Sequence, residues 1–405
     1  MTDPVVTDPV VIVGAGPAGA SLALVLAERG LPVTLLDAVN DLERVFRGEG
    51  LMPCGLDALD QIASPALLAS LPSRPLSGWG FRVNGRDLFR VDEPMGAQRP
   101  CLLVPQTALL EALISRARAC AGFRWRPGQT AEGLVIDADR VRGVRLAGGE
   151  VQAASLVIAA DGRASRLRTK AGLRLDQERS PIDILWFRLP AHPRFVADNL
   201  FIVQLGASGG FSVFHGAKDG ELQLGWLIAA GERIERSGRE WAEAFAALSP
   251  AWLANHFLAQ AGALSLPQRL SVRVGSAPHW HRPGLLLLGD AAHPMSPIRA
   301  QGINMALRDA IVAANWLVPV WREGAEPAAI DAALESIQAE REAEIRQAQA
   351  LQRNEARQGD LLRRSGLVRQ TIAWLSPWIG PSLKRSWVGR QQPLRLGSSP
   401  VQLIV

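Results

Sequence analysis

Near the start of the chain, the four apolar residues Val10 to Val13 form an unbroken run that predicts a buried β-strand. A glycine-rich turn follows, and the Ala- and Leu-rich segment Ala20 to Arg29 predicts a helix that ends at Gly30. A second apolar run, Pro32 to Leu36, predicts another buried strand, which ends at Asp37. Strand, turn, helix and strand within about thirty residues form the opening unit of a doubly wound α/β sheet.

The same alternation of apolar runs and helices returns later in the chain. Apolar runs predict two more buried strands, at Ser155 to Ala160 and at Leu285 to Leu288. Leu and Ala spacing predicts helices at Pro53 to Ile62, Gln106 to Cys120, Gly302 to Leu317 and Pro327 to Arg364. A hairpin on the main sheet is predicted at Thr130 to Ile136 and Arg140 to Leu146.

Two regions, residues 72–98 and 182–271, break into shorter pieces punctuated by Gly and Pro, which is typical of antiparallel strands. In the second region, strands are predicted at Leu185 to Leu189, Leu200 to Leu205, Phe211 to His215 and Leu222 to Leu227. A helix is predicted at Arg239 to Leu248.

The chain therefore predicts an α/β protein in which two domains are interleaved. A Rossmann-like nucleotide-binding domain comprises residues 1–72, 99–180 and 270–345, and a β-rich substrate domain comprises 73–98 and 181–269. Residues 346–405 form a helical, basic tail.

Composition excludes several classes of protein and of mechanism. Hydrophobic residues make up 48% of the 405 residues, which excludes a wholly disordered chain. The chain has no Tyr, so no tyrosine can act as acid, base or nucleophile. Its three Cys and six His show no metal-ligand spacing, so we expect no metal and reduced thiols. With no basic signal-peptide segment and no apolar run near the ~20 residues of a membrane span, we expect a cytoplasmic protein.

The net charge of +5 is a property of the tail. Residues 351–405 hold nine basic and two acidic residues, with three Trp among them. Two interpretations stay open: a basic, Trp-bearing segment that lies on an anionic membrane surface, or a helix packed on the body with its arginines in solvent. No nucleic-acid-binding motif is present, so we expect no nucleic-acid partner.

The turn Gly14-Ala15-Gly16-Pro17-Ala18-Gly19 carries the dinucleotide-binding fingerprint. Gly14 permits the tight turn, Gly16 lets the backbone approach a pyrophosphate, and Gly19 allows close packing of helix and strand. The N-terminus of the following helix then faces the phosphates. Asp37, at the end of the second strand, is placed to accept hydrogen bonds from an adenosine ribose.

Later motifs resemble those of the FAD-dependent aromatic-ring monooxygenases, the family with the p-hydroxybenzoate hydroxylase fold. They are Arg47-Gly48, Asp161 to Arg166, Gly289 to Pro294 and Gly302 to Ala310. The resemblance implies that the Rossmann-like domain binds FAD, and that Arg47, Gln106, Asp161, Gly289, Asp290 and the backbone of Gly302, Ile303 and Asn304 contact it. Pro297 matches the family's proline beside the flavin. The family often has Gly where this chain has Ala300.

The resemblance implies that NADH or NADPH reduces the FAD and that O₂ is captured as a flavin C4a-hydroperoxide, which hydroxylates or epoxidises a small aromatic or polyketide-like substrate. Two alternatives stay open: a reductase or dehydrogenase of an isoprenoid or quinone-like lipid, and a non-catalytic flavin-binding protein. Candidates for a substrate pocket on the β-rich strands are Gln204, Phe211, Phe214, His215 and Trp226. His215 is the candidate base there. We expect a monomer or a homodimer.

Overall fold

The computed structural model describes residues 8–42 and 49–405. In chain order its strands are β1 (Val10–Val13), β2 (Val33–Leu36), β3 (Gly50–Leu51), β4 (Arg74–Pro75), β5 (Gly78–Val83), β6 (Arg86–Asp92), β7 (Leu102–Leu103), β8 (Phe123–Arg126), β9 (Ala131–Asp137), β10 (Arg140–Leu146), β11 (Val151–Ala153), β12 (Leu156–Ala159), β13 (Asp176–Arg179), β14 (Ile182–Pro190), β15 (Leu200–Gly206), β16 (Gly209–His215), β17 (Glu221–Ala229), β18 (Gln268–Leu270), β19 (Arg273–Ser276), β20 (His281–Arg282) and β21 (Leu285–Leu287).

The helices are α1 (Pro17–Glu28), α2 (Pro53–Ala63), α3 (Pro65–Ser70), α4 (Gln106–Ala117), α5 (Arg166–Lys170), α6 (Pro193–Ala197), α7 (Gly238–Ala247), α8 (Ala251–Ala259), α9 (Gln301–Arg322), α10 (Pro327–Arg364) and α11 (Gly366–Leu396). Short 3₁₀ turns occur at Ala261–Ala263, Gly289–Ala291 and Ile298–Ala300.

A six-stranded sheet forms the Rossmann-like part, in the order β20-β21-β12-β1-β2-β8. Neighbouring strands are parallel except at the β20–β21 edge. All of Val10–Val13 is buried, because parallel strands are covered on both faces. α1 packs against α9, and α10 packs against α9 in turn. The predicted opening unit is confirmed, although α1 begins at Pro17, where a proline suits the first helical turn, rather than at Ala20.

A seven-stranded sheet collects the strands of the two Gly- and Pro-punctuated regions, in the order β18-β14-β17-β16-β15-β5-β6. Its neighbours are antiparallel except for β15 and β5, which pair in parallel. One face packs against α7 and α8 in a separate aromatic core that includes Phe211, Trp226, Trp241 and Phe245. The predicted α/β fold with a β-rich part and C-terminal helices is confirmed, whereas the exact domain boundaries stay predictions.

The predicted hairpin is only partly correct. Its two strands do pair, as β9 and β10, but with β11 they form a separate three-stranded sheet rather than an extension of the main sheet. Arg140 Nη1 of β10 donates to Asp331 Oδ2 of α10 at 2.6 Å, and this ion pair links the small sheet to α10.

The basic tail is helical. α10 begins and ends at the predicted residues, and α11 continues through three internal prolines, Pro377, Pro381 and Pro393. Each proline removes a helix hydrogen bond, so packing on β6 and α10 must stabilise this helix. None of the helices in the described part of the chain is long and apolar enough to cross a membrane.

Candidate active site

A cavity of about 1070 Å³ is lined by residues of both large sheets. The glycine-rich turn, the 3₁₀ turns Gly289–Ala291 and Ile298–Ala300 and the start of α9 form one wall, and strands of the seven-stranded sheet form the opposite wall. α10 and α11 line the remaining side, through residues that include Glu355, Leu361, Ile372 and Trp387. The cavity therefore joins the predicted nucleotide-binding and substrate regions.

The glycines of the first turn are required by close backbone contacts. Gly14 has φ +105°, and a Cβ there would lie 2.3 Å from the Ala160 carbonyl oxygen. A Cβ on Gly19 would lie 2.0 Å from the Gly14 carbonyl oxygen. The turn can consequently pass against β12 only with glycine at these two positions.

Two long helices begin at the cavity without a side-chain cap. α1 starts beside Gly16, Pro17 and Ala18, and α9 starts beside Gly302 and Ile303, and all five residues line the cavity. The first N–H groups of a helix have no partner within it and carry partial positive charge. Both ends are therefore suited to bind anionic or electron-rich groups of a cofactor.

Asp37 ties the end of β2 to the glycine turn. Its Oδ2 accepts a 2.7 Å hydrogen bond from the Ala15 amide, and its Oδ1 accepts one from the Val39 amide at 3.1 Å. The side chain is buried at the carboxyl end of the parallel sheet, where a nucleotide ribose would lie. The predicted ribose contact stays a prediction.

Two further predicted carboxylates, Asp161 and Asp290, line the cavity together. Asp161 Oδ2 accepts the amides of Arg166 and Leu167 at the start of α5, while its buried Oδ1 has no partner within the described structure. Asp290 Oδ2 lies 3.4 Å from Arg163 Nη2. One oxygen of Asp161 is thus left for a ligand.

Of the remaining predicted cofactor contacts, some line the cavity and others do not. Gln106, Pro297 and Gly302 line the cavity. Gly289 has φ +61°, and a Cβ there would come within 3.0 Å of the Ala18 side chain, so it lets the Asp290 turn approach α1. The Asn304 side chain faces away from the cavity, as the next contacts show.

Asn304 acts as a bridge inside the protein. Its Oδ1 accepts the Met52 amide at 2.8 Å, and its Nδ2 donates to the carbonyls of Gly50 and Ala300. The side chain is fully buried. Asn304 therefore fixes the start of α9 to β3, and its side chain is not available to a cofactor. The predicted backbone contact at this position stays a prediction.

His215 is a correction to the predicted site. It is fully buried and does not line the cavity, and its Nδ1 donates to the Gly216 carbonyl at 2.7 Å in the tautomer that carries this proton. Burial lowers its pKa. Among the other pocket candidates, Phe214 lines the cavity, and Gln204 and Trp226 do not. Phe211 borders the cavity, but its fully buried ring packs in the aromatic core against α7 and α8. Arg47 lies outside the described residues.

Sequence reasoning missed Glu49 and Arg299, which both line the cavity. Glu49 Oε2 accepts the Ala217 amide at 2.9 Å, and burial raises the pKa of this carboxyl. Arg299 lies beside Pro297, and its Nε lies 2.9 Å from Glu355 Oε2. One arginine among many carries no sequence signal, but its position two residues after the matched Pro297 could have indicated it.

These residues fit an FAD cofactor. The glycine turn and the start of α1 would hold the pyrophosphate, Asp37 and Asp290 would hold hydroxyl groups, and the start of α9 would face the flavin ring. The unpartnered Asp161 Oδ1 supports the presence of a further polar ligand. When bound, FAD supplies the redox chemistry, and the protein supplies orientation and electrostatics. Fold and site together define a flavin-dependent oxidoreductase.

Comparison with known proteins agrees with this class. Residues 7–351 match the family model described as "FAD binding domain". The chain is 35% identical over 314 residues to 6-methylpretetramide 4-monooxygenase of Streptomyces rimosus, covering 75% of this chain and 73% of the relative. It is 28% identical over 349 residues to ubiquinone hydroxylase of Rhodospirillum rubrum, covering 79% and 74%.

A solved structure shows the same fold. The p-nitrophenol 4-monooxygenase of Pseudomonas putida superposes with a TM-score of 0.79 at 20% identity, covering 97% of this chain and 99% of that one. The chain therefore belongs to the FAD-binding-domain family of flavoprotein monooxygenases. The predicted FAD cofactor and the resemblance to aromatic-ring monooxygenases are both confirmed.

Proposed function

We propose that the enzyme uses NADH or NADPH and O₂ to hydroxylate or epoxidise a planar, polycyclic aromatic substrate of polyketide type. A row of aromatic rings along the cavity carries this proposal. The rings are Trp186, Phe214, Phe201, Trp79 and Trp387, with successive centroid separations of 6.2, 5.0, 4.9 and 6.1 Å. Aromatic rings attract other rings by stacking and edge contacts. A row of this length suits several fused rings better than a single phenol.

The protein groups around this row have distinct roles. The apolar walls exclude water from the reacting centre, which strengthens every electrostatic interaction there. The N-terminal N–H groups of α9 would stabilise negative charge that develops on the reacting groups beside Pro297. The relative that acts on 6-methylpretetramide, as its name states, supports a multi-ring substrate.

The decisive experiment measures whether an oxygen atom of O₂ is incorporated into the product. The FAD-loaded protein is incubated with NADH or NADPH, ¹⁸O₂ and a panel of one-ring to four-ring phenols, and the products are analysed by mass spectrometry. We expect one ¹⁸O atom per product and faster cofactor oxidation with multi-ring phenols than with phenol itself. A quinone and a geranylgeranyl lipid complete the panel, and their reduction without ¹⁸O incorporation would instead indicate the alternative reductase of isoprenoid or quinone-like lipids. Absence of any product with every substrate would contradict both.

The outer face of α11 supports a second proposal, contact with an anionic membrane surface. Trp374 and Trp378 are 63% and 67% exposed, and their ring centroids lie 5.7 Å apart. Lys384 and Arg385 on the same helix are exposed, and residues 361–405 contain no acidic residue, although Arg369 and Arg395 are buried. Exposed tryptophans combined with a purely basic segment match an anionic lipid interface in both polarity and charge.

Liposome flotation tests this contact. The full-length protein should float with phosphatidylglycerol vesicles more than with phosphatidylcholine vesicles, and the W374S/W378S variant should lose the difference. Trp316→Ser is the matched control, because Trp316 is also exposed but lies on α9. Equal flotation of the wild type with both vesicles would refute the proposal.

A further inference from the structure

Arg299 is held inside the cavity by an unusual backbone conformation. It lies in the 3₁₀ turn Ile298–Ala300, between Pro297 and the start of α9, with φ 61° and ψ 24°. This left-handed region costs a non-glycine residue of order 1–3 kcal/mol. Other contacts must therefore hold Arg299 in place, and strain of this kind is concentrated at functional positions.

Three aromatic rings surround its guanidinium. The Arg299 Cζ lies 4.7 Å from the Trp387 ring, 5.0 Å from the Trp79 ring and 5.6 Å from the Phe81 ring. All three distances are within the range of a cation–π contact. Two of these rings, Trp79 and Trp387, belong to the aromatic row, so the charge lies at the surface along which a planar substrate would stack.

Only part of the guanidinium is used by the protein. Its Nε is paired with Glu355 Oε2 at 2.9 Å, and the other oxygen of Glu355 accepts from Gln391. Neither terminal nitrogen of Arg299 hydrogen-bonds to a described residue, and neither is sealed from the cavity. These two nitrogens present donors toward bound ligands.

The charge balance of the whole cavity lining favours an anion. Five arginines line it against four carboxylates, which leaves one positive charge in excess: Arg163, Arg269, Arg273, Arg299 and Arg390 against Glu49, Asp161, Asp290 and Glu355. A guanidinium binds oxyanions through a planar pair of donors, and its charge favours the ionised form of a neighbouring hydroxyl group. A chain without Tyr has no phenol side chain for this task.

We propose that Arg299 determines specificity by binding an ionised oxygen of the aromatic substrate, whether phenolate, enolate or carboxylate. The substrate rings stack along the aromatic row, and the oxyanion meets the terminal nitrogens of Arg299. This inference rests on the proposed function, since it assumes that the aromatic row is the substrate site. Glu355 and Phe81 are positioning residues, because they act by orienting the guanidinium, whereas Trp79 and Trp387 would also contact the substrate.

Ligand binding without turnover tests the inference. The FAD-loaded protein is titrated with 2-naphthoate and with its neutral isostere 2-naphthamide, and binding is followed by the flavin absorption spectrum and by calorimetry. We expect the wild type to prefer the anion by about tenfold or more. The R299Q variant should lose this preference while keeping its affinity for 2-naphthamide, and R299K should retain part of it.

Arg353→Gln is the matched control, because Arg353 lies on α10 near Glu355 but does not line this cavity. It removes the same charge and should keep the preference. An unchanged preference in R299Q, or a wild type that binds both probes equally or neither, would overturn the inference. If R299Q fails to retain FAD, the loss or retention of preference in R299K decides.

Failure of the Arg299 inference can be distinguished from failure of the proposed oxygenation. A preference for the anion that depends on Arg299, without ¹⁸O incorporation into any phenol, would refute oxygenation and leave anion recognition standing. Oxygenation together with a preference that is unaffected in R299Q would refute only the role of Arg299.

Discussion

Arg395, near the end of α11, donates two 2.6 Å hydrogen bonds to the two carboxylate oxygens of Glu93, and both side chains are almost completely buried. Glu93 Oε1 also accepts from Trp79 Nε1 at 2.6 Å, so the pair adjoins the aromatic row. The alternative of a packed tail with its arginines in solvent is therefore only partly correct. At least Arg395 and Arg369 are buried and act in packing.

Removing one partner of this pair should be costly. We expect Glu93→Gln to lower the free energy of unfolding by about 3–5 kcal/mol, because the Arg395 charge stays buried without a counter-charge. The E93Q/R395M double variant should be more stable than E93Q alone. Urea denaturation measures the free energy of unfolding of both variants. Asp92→Asn is the control, because it removes an exposed partner of Arg90 and should cost under about 1 kcal/mol. Equal losses in E93Q and D92N would contradict the argument.

A second buried ionic cluster joins the segment after Asp290 to the helices behind it. His293 Nε2 lies 2.8 Å from Asp309 Oδ2, Arg341 contacts both Asp309 and Glu344, and Arg308 forms two hydrogen bonds with Glu344. Burial opposes ionisation of Asp309, but His293 and Arg341 outweigh it and lower its pKa. Burial likewise opposes ionisation of Glu344, and Arg341 and Arg308 lower its pKa.

These lowered pKa values predict acid sensitivity. A carboxyl with a lower pKa in the folded state stabilises the protein above its unfolded pKa, and the stabilisation is lost as the pH falls through the folded pKa. We therefore expect the free energy of unfolding to decline below about pH 4. Glu344→Gln should remove part of this decline and cost about 3–5 kcal/mol at neutral pH, because Arg308 loses its counter-charge while Arg341 keeps only Asp309.

Urea denaturation over a pH series measures this effect. Glu342→Gln is the control on the same helix, since Glu342 pairs with the largely exposed Arg346 and should contribute under about 1 kcal/mol. A pH dependence in E344Q identical to that of the wild type would show that the cluster does not set acid stability.

Local patterns were sufficient to predict the central strands of both large sheets and six of the eleven helices of the described residues. The buried strands and the helices near 53, 106, 239 and 327 could be predicted because their apolar periodicity is a property of neighbouring residues. The glycines of the first turn could be predicted because their backbone geometry admits almost nothing else.

The contacts that close the cavity could not be predicted in this way. Arg299 and Glu355, and Glu93 and Arg395, are pairs far apart in sequence, and nothing local marks one arginine among many. His215 was misplaced for a different reason. Successive residues of a strand face opposite sides, and the sequence does not show which face of β16 meets the cavity, where Phe214 lies.

Ala300 offers a test of backbone strain in the 3₁₀ turn before α9. It adopts φ 50° and ψ 31° as the N-cap of α9, a conformation in which glycine avoids the cost of a Cβ. We expect Ala300→Gly to raise the free energy of unfolding by about 1 kcal/mol, less a few tenths for the greater freedom of the unfolded chain.

Thermal and urea denaturation measure this change. Ala332→Gly is the matched control, because Ala332 is exposed within the regular helix α10 and the same substitution should there destabilise by about 0.5–1 kcal/mol. We expect Ala300→Gly to raise the free energy of unfolding and Ala332→Gly to lower it. A destabilising Ala300→Gly would show that the methyl group contributes packing that exceeds the backbone strain.

The three cysteines should differ in reactivity. Cys54 and Cys101 are buried, and burial raises the pKa of Cys54 to about 11 and that of Cys101 to about 12, whereas Cys120 is partly exposed. Because the thiolate is the reactive form, an aromatic disulfide reagent at pH 8 should rapidly modify one thiol in the native protein and three in urea. Cys120→Ser should abolish the fast native reaction and leave two thiols reactive in urea. Rapid native modification that persists in this variant would mean that Cys54 or Cys101 is reached through local opening.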